Sequence, residues 1–356
     1  MDSGIKKPGV TSSQVAEHAG VSQSAVSRTF TPGASISSKT RQKVLASAKV
    51  LGYRPNAIAR SLITNRSRII AVVMAYLENL FYPDVLEELG RALAAENYHL
   101  LLFTGFKDRD SDPVFDQLMQ YRVDGIILAS TSLSSELSEE CATAGIPVVL
   151  FNRTTERDAV SSVTTRNREG GKRIADFLVA GGHKSFGYIA GLENSSTNRD
   201  RQQGFVEGLA AHGFDKVTIE TGNYSRPDAE AAARKMFARP DRPEALFVAN
   251  DHMAVAVMDV ARHEFGLRIP EDLSIVGYDD VGPARWTSYG ITSMSQPLKR
   301  MMESTVDILM DQIASGEIEA EHRILTGDLV VRTSARLPQS GVVERDGQRI
   351  YKPREA

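Results

Sequence analysis

The chain has 356 residues, of which 42% are hydrophobic and 24% charged, and a net charge of −3. This composition excludes a disordered, fibrous or membrane-spanning protein, and the length predicts two or three domains. Cys141 is the only cysteine, so an intrachain disulfide is excluded and a reducing compartment is expected.

The charge is unevenly placed. Residues 1–68 carry eleven Lys/Arg against Asp2 and Glu17, a net of +9, which leaves −12 on the remainder. A basic head on an acidic body directs the head toward a polyanion and keeps the body away from it. Residues 1–10 lack the apolar stretch of a secretory signal, and the longest apolar run, 69–77, is too short to span a bilayer. A soluble, cytoplasmic protein is expected.

In the head, Ser12 or Ser13 stands where it can cap a first helix with Val15, Ala16 and Ala19 on its apolar face. Gly20 supplies the positive φ that ends it. Ser22 then caps a second helix, with Ala25, Val26 and Phe30 inward. Two short helices meeting at a glycine turn are the mark of a helix-turn-helix. A third helix starts at Ser37 or Ser38 and ends at Leu51 before Gly52, with Val44, Leu45, Ala48 and Leu51 inward. Gln23, Ser24 and Arg28 face outward on the second helix. Gln and Ser hydrogen-bond base edges, and Arg prefers the O6 and N7 of guanine. Ser13, Ser22, Ser27, Thr40 and Arg41 lie near helix starts, where phosphate contacts are expected. The head thus occupies 1–54. In 55–68, Asn56 caps a short helix whose small residues Ala57 and Ala59 allow close approach of a symmetry mate. A helix this short is marginal alone and is expected to form only with DNA and a partner hinge.

From Ile69 the pattern changes to continuous apolar runs (69–74, 100–103, 125–128, 147–151) separated by helical stretches (83–96, 113–122, 134–144). The same alternation returns from 186 to 278. Apolar runs alternating with amphipathic helices predict parallel sheets buried on both faces, here two doubly wound α/β lobes in tandem. The core is expected over 69–340, with lobe 1 at about 69–165 and 295–328 and lobe 2 at about 166–294 and 329–340. A tail is expected at 341–356. Ligands bind such sheets at the carboxyl ends of strands, which puts the site in the cleft between the lobes. Asp279 and Asn250 follow strands and fall at such ends, and Arg201 opens a helix. Together with the flat faces of Tyr224 or Tyr82, these groups suit a polyhydroxyl ligand.

The chain resembles the LacI/GalR family of transcriptional repressors. The resemblance is carried in order by the segment 15–28, the hinge 55–62, Val248-Ala249-Asn250-Asp251, Ser274-Ile275-Val276-Gly277-Tyr278-Asp279-Asp280 and Leu329-Val330-Val331-Arg332. It implies an all-α helix-turn-helix head, a hinge helix and a core like that of periplasmic sugar-binding proteins. It further implies that Gln23, Ser24 and Arg28 choose the operator. Leu62 is implied to wedge between base pairs in the minor groove, and Arg201 to fix the effector. Phe81, Tyr82 and Asn152 then supply the first lobe's share of that site. The expected protein is a homodimeric repressor on a near-palindromic double-stranded operator, controlled by a sugar or sugar derivative. The absence of leucine heptads after Leu337 favours a dimer over a tethered tetramer.

No cofactor is expected. The histidines show no metal spacing, Gly170-Gly171 lacks the third glycine of a phosphate loop, and there is no nucleophile elbow. The competing readings are a sugar-binding transport protein, which needs an export signal, and an α/β enzyme, which needs a phosphate loop.

Overall fold

The computed structural model describes residues 10–31, 33–54, 66–74, 77–104, 118–129, 141, 143–155 and 159–353. Two compact units divide at Ser67 and Arg68. The hinge residues Asn56, Ala59 and Leu62 lie outside the described residues, as do half of 113–122 and most of 134–144, where helices are expected.

In the first unit, α1 (Ser12–Ala19), α2 (Gln23–Thr29) and α3 (Ser38–Leu51) enclose Val15, Ala16, Val26, Val44 and Ala48. The first cap is Thr11 rather than Ser12 or Ser13. Its hydroxyl accepts from the Gln14 amide while the Gln14 side chain accepts from the Thr11 amide, and this reciprocal pair outcompetes a lone serine. Gly20 closes α1 at φ 63, where a β-carbon would be strained. Leu45, expected inward, is 46% exposed. The inward stripe of α3 instead takes Ser47, whose hydroxyl meets His18 Nδ1 at 3.0 Å, so a polar contact occupies part of the face expected to be apolar.

The second unit holds two sheets. The first is parallel throughout. Its strands are β1 (Ile69–Met74), β2 (His99–Thr104), β3 (Gly125–Ala129), β4 (Val148–Phe151), β5 (Ser161–Thr165) and β11 (His322–Leu325), in the order β11-β5-β4-β3-β1-β2. Val72 pairs with Leu102 on one side and Ile127 on the other, which accounts for the uninterrupted apolar runs: both faces are covered. Helices α4 (Phe81–Ala95) and α9 (Leu298–Ser315) pack in this lobe.

The second sheet contains β6 (Phe186–Ala190), β7 (Val217–Thr221), β8 (Ala245–Val248), β9 (Ser274–Asp279) and β10 (Thr292–Ser295) in parallel. Three antiparallel strands extend it: β12 (Leu329–Val330), β14 (Gln348–Tyr351) and β13 (Val342–Arg345). Here the expected tail is corrected. Residues 342–351 form a hairpin that continues the sheet, because β12 would otherwise be a bare edge and Ile350 and Tyr351 have apolar surface to bury. The Tyr351 ring meets Phe177 edge-on at 5.2 Å.

Helices α5 (Asn167–Ala180), α6 (Ser196–Ala211), α7 (Arg226–Phe237) and α8 (Asp251–His263) complete this lobe. Glycines bring α5 and α6 unusually close: a β-carbon on Gly204 would stand 1.9 Å from the Arg168 carbonyl oxygen, and one on Gly171 2.3 Å from that of Arg201. Asp251, the first residue of α8, is wholly buried and locks the strand ends together. Both its oxygens accept from Ser293 Oγ at 2.8 and 2.9 Å, and Oδ2 also accepts from the Val281 amide at 3.1 Å. Burial first, and the charges of Asp279 and Asp280 second, push its carboxyl well above the usual range. Among the described residues, no helix is long and apolar enough to cross a membrane.

Two outcomes follow from this packing. Gly204→Ala should separate α5 from α6 at a cost of about 1–3 kcal/mol and lower the thermal midpoint by several degrees. An unchanged midpoint contradicts the close approach. Because the folded pKa of Asp251 is raised, its contribution is present below about pH 4 and lost as pH rises through the folded value. Urea denaturation of Asp251→Asn, neutral at every pH, should therefore show a shallower loss of stability as pH rises above about 4; a slope equal to that of the parent chain contradicts the raised value.

Candidate functional site

The head presents a polar helix face. With Val26 and Thr29 turned inward on α2, the side chains of Gln23, Ser24, Ser27 and Arg28 are exposed, together with Ser13 on α1 and the cap Ser22. Ser22 accepts from the Ala25 amide, and its hydroxyl meets that of Ser24 at 2.9 Å. Gln23 donates to Ser12 at 3.0 Å. Arg28 makes none of the ion pairs of the described residues. Arg41 donates to the Thr29 carbonyl, which ties α3 to the end of α2. The face is thus held rigid from behind while its outward donors and acceptors remain available to a partner.

The core holds a small pocket. From the first lobe it is lined by Asn79, Phe81, Tyr82, Asn152 and Arg153, and from the second by Thr197, Arg201, Tyr224, Asn250 and Asp279. All seven cleft residues expected from sequence, Phe81, Tyr82, Asn152, Arg201, Tyr224, Asn250 and Asp279, are brought together here. Asn79, Arg153 and Thr197 join them unanticipated.

Chain geometry explains the convergence. Asn152 follows β4, Tyr224 follows β7, Asn250 follows β8 and Asp279 ends β9, so each stands at a carboxyl strand end. Asn152, Tyr224 and Asp279 take φ values of 55, 54 and 106, the left-handed region that side chains other than glycine seldom adopt. Such backbones persist only where the surroundings over-determine them, and they cluster at functional sites.

Arg201 is the centre of the second lobe's half, although it is 2% exposed. Its Nε donates to Asn167 Oδ1 at 2.9 Å, one terminal nitrogen to the Ala249 carbonyl at 2.6 Å, and the other to Asp279 Oδ1 at 3.3 Å. The guanidinium lies 3.6 Å from the centroid of the Tyr278 ring. Gln296 also donates to Asp279 Oδ1, at 2.8 Å. Burial pushes the Asp279 carboxyl up, and Arg201 opposes it. Tyr224 forms a wall fixed by Gly191, where a β-carbon would fall 2.2 Å from the ring. Its hydroxyl meets Thr197 at 3.3 Å.

Two polar atoms of the pocket are buried without partners: Asn152 Oδ1 and Asn250 Nδ2. Asn250 uses its other side-chain atom, Oδ1, to cap α8 through the Met253 amide. One unmatched acceptor and one unmatched donor on residues of the same lining suit a ligand group that both donates and accepts. A hydroxyl does this, and a second hydroxyl can reach Asp279. Among the described residues there is no cluster of three or more metal-ligating side chains.

Comparison with known proteins agrees with this division. Residues 13–56 match the description "bacterial regulatory proteins, lacI family" and residues 175–335 the periplasmic binding protein-like domain. The HTH-type transcriptional regulator CelR of Thermobifida fusca is 31% identical over 333 residues, 91% of this chain and 98% of that protein. The solved transcriptional regulator CelR–cellobiose complex is 29% identical and covers 92% of this chain and 100% of its own, with a TM-score of 0.69. The lac repressor dimer bound to operator and the anti-inducer ONPF is 26% identical, covers 92% of this chain and 99% of its own, and has a TM-score of 0.81. The match extends through the head, which removes the transport-protein reading, and the relatives are regulators, which removes the enzyme. The chain belongs to the lacI family of bacterial regulatory proteins and is a DNA-binding transcriptional regulator.

Proposed function

We propose that this regulator is a cytoplasmic homodimeric repressor whose hold on a near-palindromic operator is set by a small polyhydroxyl effector, a sugar or sugar derivative, in the core pocket. The observation that carries the reading is the convergence of the pocket side chains from both lobes, with Asn152 Oδ1 and Asn250 Nδ2 left unmatched. Tyr224 and Tyr82 supply flat faces for the ring, and Asp279 takes its hydroxyls.

On the DNA side, Gln23, Ser24 and Arg28 read base edges in the major groove, and Ser13, Ser22 and Ser27 hold phosphates. In the hinge, Asn56 caps the short helix, Ala59 permits close pairing with a symmetry mate, and Leu62 wedges into the minor groove. The ligand sets the arrangement of the lobes, and that arrangement decides whether the paired hinges form. Among the relatives, CelR was solved with cellobiose, and the lac repressor dimer with operator and the anti-inducer ONPF.

Selection from random duplexes followed by fluorescence anisotropy tests this. The parent chain should enrich a near-palindromic site and change its affinity when a sugar of a screened panel binds. Asp279→Asn, which keeps an oxygen for Arg201 and Gln296, should keep the operator affinity and weaken the ligand response. Binding with no preferred sequence contradicts the DNA reading, and an unaltered response in Asp279→Asn contradicts the pocket.

A further inference from the structure

Arg153 is a pocket cation with no anionic partner. The ionisable groups among the described lining residues, tyrosines aside, are Arg153, Arg201 and Asp279. Arg201 and Asp279 are consumed by each other. Arg153 lies in the field of Asp279 but forms no ion pair with it. One of its terminal nitrogens donates to Ser195 Oγ and to Thr197 Oγ1, and these are its hydrogen bonds among the described residues. Its carbon centre stands 5.9 Å from the centroid of the Tyr224 ring. The pocket therefore carries one uncompensated positive charge, presented on a guanidinium whose remaining edge is uncommitted.

The surroundings add to that field. Ser195 is the N-cap of α6, and Thr197 sits in its first turn. The first N–H groups of a helix have no partner within it, and an anion is favoured near such an end. The Ser195 and Thr197 hydroxyls that accept from Arg153 also hold it at this position, so its planar fork is oriented before any ligand arrives. The nearby unmatched pair, Asn152 Oδ1 and Asn250 Nδ2, lies within the same lining and takes hydroxyl groups. One pocket thus combines hydroxyl recognition with a pre-oriented anion receptor.

We infer that the effector is an anionic sugar, in which a carboxylate or phosphate pairs with Arg153 while the ring hydroxyls meet Asn152, Asn250 and Asp279. This inference rests on the pocket's being the effector site and names the chemical class it selects. A neutral sugar would leave the Arg153 charge half-buried and unpaired, so discrimination in favour of the acid is built in. A carboxylate suits the planar fork in bidentate fashion, and a phosphate satisfies the same donors.

Isothermal titration of the full chain against matched sets tests this: aldoses, the corresponding uronates, and the corresponding 6-phosphates. At least one anionic member should bind roughly ten- to a hundred-fold more tightly than its neutral parent, the range of a hydrogen bond to a charged group. Arg153→Gln should bring acid and parent to equal affinity, and Arg153→Lys should restore part of the preference. A uronate-only or phosphate-only preference identifies which anion the receptor takes. Neutral sugars binding as tightly as their acids, or a preference that survives Arg153→Gln, overturns the inference and leaves the effector site intact. Failure of every sugar to bind contradicts the effector reading itself.

Discussion

The buried guanidinium of Arg201 is the interaction on which the core depends. It joins the first residue of α5 (Asn167), the end of β8 (Ala249), the end of β9 (Asp279) and the ring of Tyr278, all from a position inside α6. A charge so buried is tolerable only because each of its three nitrogens has a partner. Breaking one side of such a pair costs about 3–5 kcal/mol, since the remaining charge stays in a medium that cannot solvate it. Arg201 therefore fixes the spacing of the strand ends as much as it supplies a polar group to the pocket. The glycines of α5 and α6 are the condition for this: with side chains at Gly171 and Gly204 the two helices could not approach closely enough to hold Arg201 against Asn167.

A second consequence is the crowding of carboxylates. Asp251, Asp279 and Asp280 occupy one end of the second sheet, and each has a different counterweight. Asp279 has Arg201, Asp280 lies 3.2 Å from Arg285 and 2.7 Å from Arg332, and Asp251 has only hydroxyl and amide donors. The pocket thus sits on a frame whose electrostatics are settled internally, and the unsettled group is Arg153, on the other lobe. Charge selectivity falls to the residue that the frame does not consume.

Much of this was legible in the sequence. The apolar runs around Val72, Val149 and Val248 gave strands because both faces of each sheet are covered, and Gly20 and Gly52 marked helix ends because a left-handed residue was needed there. Asp279 and Asn250 could be placed in the site because a polar residue directly after an apolar strand falls at a carboxyl end. Arg153 and Thr197 escaped because their roles come from long-range placement: neither periodicity nor spacing says that Arg153 will reach Ser195 across the lobes. Leu45 was misplaced because His18 and Ser47 satisfy each other across the head, and that contact is invisible to a hydrophobic pattern. The hairpin at Val342–Arg345 and Gln348–Tyr351 escaped because its strands are short and charged, and their pairing is decided by the open edge of β12.

The central claim is that occupancy of the core pocket and the grip of the head on DNA are one equilibrium. Linkage requires the coupling to be reciprocal: the factor by which the ligand changes operator affinity must equal the factor by which operator changes ligand affinity. Titrating each partner in the absence and in the saturating presence of the other measures both factors. The account predicts equal factors, of about 5- to 150-fold, reduced together in Asp279→Asn. A ligand that binds the pocket with the same affinity whether or not operator is present contradicts it.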